Sequence, residues 1–186
     1  FAHHHLIFNI LNILSAMDLD LRLASKEINE IMWHAHKTLS TAESCTAGRL
    51  SEVITAVPGS STYYVGGITA YMESAKVNLL GVDAELMKEK TPVCEEVVEQ
   101  MVIGANKLFG SDFSVAVSGY AGPGGSENGS VLVGTIWIAG GREGKIKTMI
   151  LHDDEGRDQN LAMATSAAIR LLLDYLREEC PREKAE

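Results

Sequence analysis

Cysteine is scarce. Cys45, Cys94 and Cys180 are the three in 186 residues. No CxxC pair occurs, and an odd count argues against a disulfide framework, so a reducing, cytoplasmic setting is the simplest reading. Basic residues are in deficit as well: 16 Lys and Arg face 25 Asp and Glu, for a formal net charge of −9. That balance excludes a broad phosphate-binding face and with it non-specific nucleic-acid binding. A small anionic ligand is still allowed where a few amides and one or two cations focus positive potential. Long apolar runs are missing too. The run from Leu6 to Met17 is interrupted by Asn9 and Asn12 and is too short for a membrane span. Histidine offers no metal site, because His34, His36 and His152 form no helical pair with an acidic partner. No stretch is rich enough in proline, glycine or serine to act as a domain linker, and no internal repeat is present.

What is present suits one globular domain. Hydrophobic residues make up 46% and charged residues 22%, and the length permits a sizeable core. The first sixteen residues stand apart. His3, His4 and His5 read as an affinity-tag remnant and Met17 as a native start, with Leu6, Ile7, Ile10, Leu11 and Leu14 at helical spacing. We therefore expect a leader over 1–16 and a single domain over 17–186.

Leu19 to His36 has the periodicity of a surface helix. Lys37 to Thr41 reads as a strand, Thr46 to Val57 as a helix stopped by Pro58-Gly59. Tyr63 to Tyr71 is aromatic and β-branched, with Gly66-Gly67 marking a bulge or close approach. Glu73 to Leu80 is a short helix ending at Gly81, and Asp83 caps another turn. Thr91 as N-cap and Pro92 at the first position open a helix that runs to Phe109 and stops at Gly110. Phe113 to Val117 is a buried strand. Val131 to Ala139 and Lys145 to Leu151 are a strand pair turning at Gly140-Gly141. A last helix runs from Arg157 to Glu179. Alternating strands and helices with a late strand pair imply an α/β fold, a three-layer α/β/α sandwich on a mixed, mostly parallel sheet. Ligands in such sheets bind beyond the carboxyl ends of the strands. The polar loops after Thr41, Ala70 and Val117 fall there.

Four features carry chemistry. Ser44 precedes a helix start at Thr46, whose free amides suit a phosphate or an oxyanion; the plain alternative is a helix cap. Lys76 follows Tyr71 by five residues. On a solvated helix it is an ordinary lysine; buried, its pKa falls and it becomes a base able to take a proton from Ser44. The loop Ser118-Gly119-Tyr120-Ala121-Gly122-Pro123-Gly124-Gly125 lets the backbone approach a ligand, or makes a tight turn. Arg157 pairs with the preceding acids or binds a phosphate in bidentate geometry. Cys45, next to Ser44, is expected in the core, and Cys94 near a helix N-terminus is a side candidate for a low-pKa thiol.

In order, Ala42-Glu43-Ser44-Cys45-Thr46-Ala47-Gly48, Pro58-Gly59-Ser60-Ser61, Tyr71 with Lys76, Leu80-Gly81-Val82 and Gly119-Tyr120-Ala121-Gly122-Pro123 resemble the C-terminal domain of the competence/damage-inducible CinA family. That family includes stand-alone bacterial nicotinamide-nucleotide amidases. The resemblance covers roughly Ile28 to Tyr175. It implies hydrolysis of nicotinamide mononucleotide to nicotinate mononucleotide and ammonia, with no metal or other cofactor. It implies Ser44 as nucleophile, Lys76 as base, Tyr71 and Ser118 as orienting hydroxyls, and a homo-oligomer. Thr46, Gly48, Gly119, Gly122, Gly124, Gly125 and Arg157 are the expected substrate-binding residues. A nucleotide-binding module without catalysis and an interaction protein of the competence or damage response are the alternatives. The sequence departs from the family at Ala47, Met72-Glu73, Thr91 to Cys94 and Tyr120. Glu73 matters most, since a carboxylate near Lys76 stabilises its charged form.

Overall fold

The computed structural model describes residues 2–181, with side chains from residue 19 onward. In chain order the elements are α1 (Ala2–Ala35), β1 (Leu39–Glu43), α2 (Arg49–Thr55), a 3-10 turn at Ser60–Thr62, β2 (Tyr64–Thr69), α3 (Glu73–Leu80), α4 (Ala84–Glu89), α5 (Glu95–Phe109), β3 (Phe113–Gly119), β4 (Ile136–Arg142), β5 (Lys145–Leu151) and α6 (Arg157–Glu179). The side chains of the expected leader over 1–16 lie outside the described residues.

The five strands form one sheet in the order β2-β1-β3-β4-β5. β1 pairs parallel with β2 and with β3, whereas β4 runs antiparallel to both β3 and β5. Four strands therefore point one way and β4 alone points back. The sheet is mixed and mostly parallel in direction, as expected, although half its ladders are antiparallel.

Period-two alternation gives the two sheet faces different sizes. Leu39, Phe113, Val115, Val117, Ile136 and Ile138 pack in one core with α1, α2 and α6 residues such as Ile28, Leu50 and Leu172. Ala42, Ala116 and Ala139 face the other core, against Val97, Val98, Met101 and Val102 of α5. Small residues there let α5 lie close to the sheet. Gly104 extends this closeness to α3: a Cβ at that position would sit 2.7 Å from the carbonyl carbon of Leu80.

Several ends fall where local chemistry puts them. Gly81 and Gly110 terminate α3 and α5 at φ 67° and 63°, as the left-handed C-terminal position requires. The Asp83 side chain accepts from the Glu85 and Leu86 amides. Three expectations need correction. α5 begins at Glu95, not at Thr91. Thr91 Oγ1 instead accepts from Val93 N, and the Pro92 carbonyl accepts from Ser118 Oγ, so both are engaged in a bend ahead of the helix. β4 begins at Ile136 and carries Gly140 and Gly141 inside it, with the turn at Glu143-Gly144. A Cβ on Gly140 would lie 2.7 Å from Leu171 Cδ2, so this glycine makes room for α6 within the strand. α2 begins at Arg49 rather than Thr46.

Candidate active site

The chain leaves β1 between two parallel neighbours. Ser44 N donates to the Val117 carbonyl at 2.9 Å, and Ala70 N donates to the Glu43 carbonyl at 2.8 Å. Ser44 thus sits at the carboxyl edge of the sheet on a rigid backbone. The chain then turns through Ala47 and Gly48, both left-handed at φ 50° and 101°. Glycine is at ease there and alanine is not.

Lys76 comes from the first turns of α3, which follows β2. Its amine lies 2.9 Å from Ser44 Oγ and 3.4 Å from the Tyr71 carbonyl. Ser44 is 7% exposed and Lys76 3%. Burial pushes the Lys76 pKa below its ordinary 10.5, while Cys45 and Glu73 pull the other way. Glu73 does oppose deprotonation, as its charge dictates, but desolvation outweighs it. The amine is thereby biased toward the neutral form, which accepts a proton from a hydroxyl.

Above the pair opens a cleft of about 560 Å³. Its wall includes Ser44, Tyr71, Lys76, Ser118, Gly119, Gly122, Gly124 and Arg157, eight of the residues singled out from sequence. Arg157, at the first turn of α6, donates to the Gly122 carbonyl at 2.6 Å and to the Tyr71 hydroxyl at 3.3 Å. It ties the ends of β2 and β3 together at the rim. A guanidinium has five N–H groups, so donors remain for an anion. Asn160 fixes the glycine loop from beneath, donating to the Ala121 carbonyl and to Asp154 and accepting from Glu155 N.

Several expected residues have further partners or lie outside the cleft. Ser118 Oγ donates to Pro92 O at 2.9 Å, which docks the bend before α5 against the cleft. Gly125 packs against the Val131 carbonyl and is not among the cleft residues. Gly48 N is taken by the Glu43 carboxylate, which also accepts from Leu50 N and Ser51 N. The free amides expected at this helix start are therefore filled from within. The Cys45 and Thr46 amides face the Cys45 sulfur. Thr46 is buried beside them with its hydroxyl unpaired and is not part of the cleft wall.

Cys45 packs in the core, and burial pushes its thiol up to about 11, which makes it a poor nucleophile. Cys94 precedes α5, yet burial raises its pKa as well, so it is no activated thiol. The described residues contain no group of three or more His, Cys, Asp or Glu placed to hold a metal, and no helix among them is long and apolar enough to cross a membrane. The residue missed in the sequence is Glu43. An acid closing a run of small strand residues just before a helix is the signal that could have found it.

Fold and site together define an α/β/α protein with a serine hydroxyl and a buried lysine amine in contact at the carboxyl edge of its sheet. The profile of the CinA C-terminal domain matches residues 22–176, and the chain belongs to that family. A CinA-like protein of Cytophaga hutchinsonii is 39% identical over 152 residues, which is 81% of this chain and 36% of that protein. One from Rippkaea orientalis is 36% identical over 153 residues, 82% of this chain and again 36% of the relative. The chain thus spans about a third of the length of these relatives. A CinA superfamily protein from Escherichia coli superposes with a TM-score of 0.81 at 30% identity, covering 85% of this chain and 92% of its own. A competence/damage inducible protein from Agrobacterium tumefaciens gives 0.79 at 30% identity, covering 85% and 96%.

Proposed function

We propose that the chain is an amidohydrolase that converts nicotinamide mononucleotide and water to nicotinate mononucleotide and ammonia. The observation that carries this reading is the 2.9 Å contact between Ser44 Oγ and the buried Lys76 amine on the floor of an open cleft. Neutral Lys76 accepts the Ser44 proton as Oγ attacks the carboxamide carbon. The oxyanion that forms is held by backbone amides of the turn that follows Ser44. Lys76 returns the proton to the departing nitrogen, the C–N bond breaks, and ammonia leaves an ester on Ser44. Water, deprotonated by Lys76, attacks the ester; the C–O bond breaks, the proton goes back to Ser44, and the nicotinate product is released. Tyr71 keeps Arg157 at the rim, where the guanidinium meets the phosphate.

No metal or cofactor enters this scheme. A cytoplasmic setting and a homo-oligomeric state belong to the same proposal, the latter open to sedimentation analysis. The test is ammonia release from nicotinamide mononucleotide by the pure protein, with Ser44→Ala and Lys76→Ala alongside. Removing a member of such a catalytic unit is expected to cost roughly 10³- to 10⁶-fold in turnover. Wild-type turnover in either variant refutes the assignment. Tight nucleotide binding with no ammonia from the parent chain supports a binding module instead.

A further inference from the structure

Behind the Ser44 turn lies a polar network that no reacting group touches. Glu43 is 1% exposed and reaches across to α2. One carboxylate oxygen accepts from Gly48 N at 2.9 Å and Leu50 N at 3.0 Å. The other accepts from Ser51 N at 3.0 Å and Ser51 Oγ at 2.8 Å. Ser51 Oγ then closes a triangle with Thr41 Oγ1 and the Tyr64 hydroxyl, with sides of 2.8 to 2.9 Å. Gly67 leaves the space: a Cβ there would sit 2.7 Å from Ser51 Oγ. The network joins β1, β2 and α2 on the side of the sheet opposite α3.

Resting on the amidase reading, we propose that Glu43 is a positioning residue that sets the nucleophile turn. Its carboxylate occupies the positive end of α2 and pins the left-handed Ala47-Gly48 step. That holds the backbone on which Ser44 and Cys45 reach the cleft wall in a single geometry. Four donors converge on it, and only an acceptor-only carboxylate meets them all. A glutamine in its place turns an NH2 toward amide N–H groups on one side or the other, so the turn must shift.

The experiment uses p-nitrophenyl acetate, which acylates a serine nucleophile without any nucleotide. Burst amplitude counts competent Ser44 sites, and burst rate reads their geometry. For Glu43→Gln the burst rate falls roughly 10- to 100-fold at full amplitude, the scale of a displaced reacting group. Ser51→Ala, which keeps the carboxylate and removes one of its four donors, slows the burst roughly 3- to 10-fold at full amplitude. A burst of unchanged rate, whether at full or reduced amplitude, in both variants overturns the proposal, because a merely structural residue changes the number of folded sites and not their speed. A parent chain that gives a burst but no ammonia from nicotinamide mononucleotide refutes the amidase reading alone. A parent chain that gives neither a burst nor ammonia refutes both.

Discussion

Gly104→Ala adds one methyl group far from the cleft and tests how the reaction depends on packing. The new Cβ would lie 2.7 Å from the Leu80 carbonyl carbon and 2.8 Å from its Cα, with the carbonyl oxygen nearer still. These are backbone atoms and cannot swing aside. Restoring ordinary contact of about 3.5 Å requires α3 and α5 to part by on the order of 1 Å. Alanine gains about 1 kcal/mol over glycine in a helix interior. Overpacking costs about 1–3 kcal/mol. The expected net is a loss of about 0–2 kcal/mol in urea unfolding, small enough to leave the chain folded. The effect on turnover is larger. Lys76 lies four residues before Leu80 on the same helix, about one turn away. A shift of that size stretches the 2.9 Å Lys76–Ser44 contact out of hydrogen-bond range. Displacing a reacting group by about 1 Å costs up to roughly 10²-fold. The assay pairs ammonia release with urea titration on the same preparation. Full turnover with equal or greater stability refutes the argument that α5 sets the position of the amine.

Ala47→Gly relieves the left-handed alanine and should stabilise the domain by about 1 kcal/mol, or about 2–4 °C in Tm; a lower melting temperature contradicts the strain argument. Turnover should climb with pH as Lys76 loses its proton, with a midpoint below the ordinary 10.5; a profile flat across that limb removes Lys76 as the base. Lys76→Met should abolish ammonia release yet raise the urea midpoint at neutral pH. The folded chain disfavours the ammonium, so the unfolded chain binds that proton more tightly, and parent stability rises with pH from the folded pKa up to about 10.5. The variant should lack this slope, and an identical slope in both proteins counts against a lowered pKa.

Sequence was most legible where short-range chemistry decides the structure. α3 with Gly81, α6 from Arg157 to Glu179, and β5 fall where periodicity and end signals put them. The failures share a cause. Thr91-Pro92 is a good helix opening in isolation, but the Pro92 carbonyl is drawn to Ser118, 26 residues away. Gly140-Gly141 is a good turn in isolation, but α6 needs the room inside the strand. At the site, the pairing of Ser44 with Lys76 followed from family resemblance, since spacing alone left Lys76 indistinguishable from a solvated lysine. Glu43 escaped notice because its role depends on where α2 begins, and that onset was placed three residues early.

The two side chains in contact at the edge of the sheet are held from its two different faces. Ser44 is steadied through α2 beneath the strands, while Lys76 is carried by a helix resting on α5 above them. The Ser44–Lys76 contact therefore exists only where both layers are seated on the same sheet.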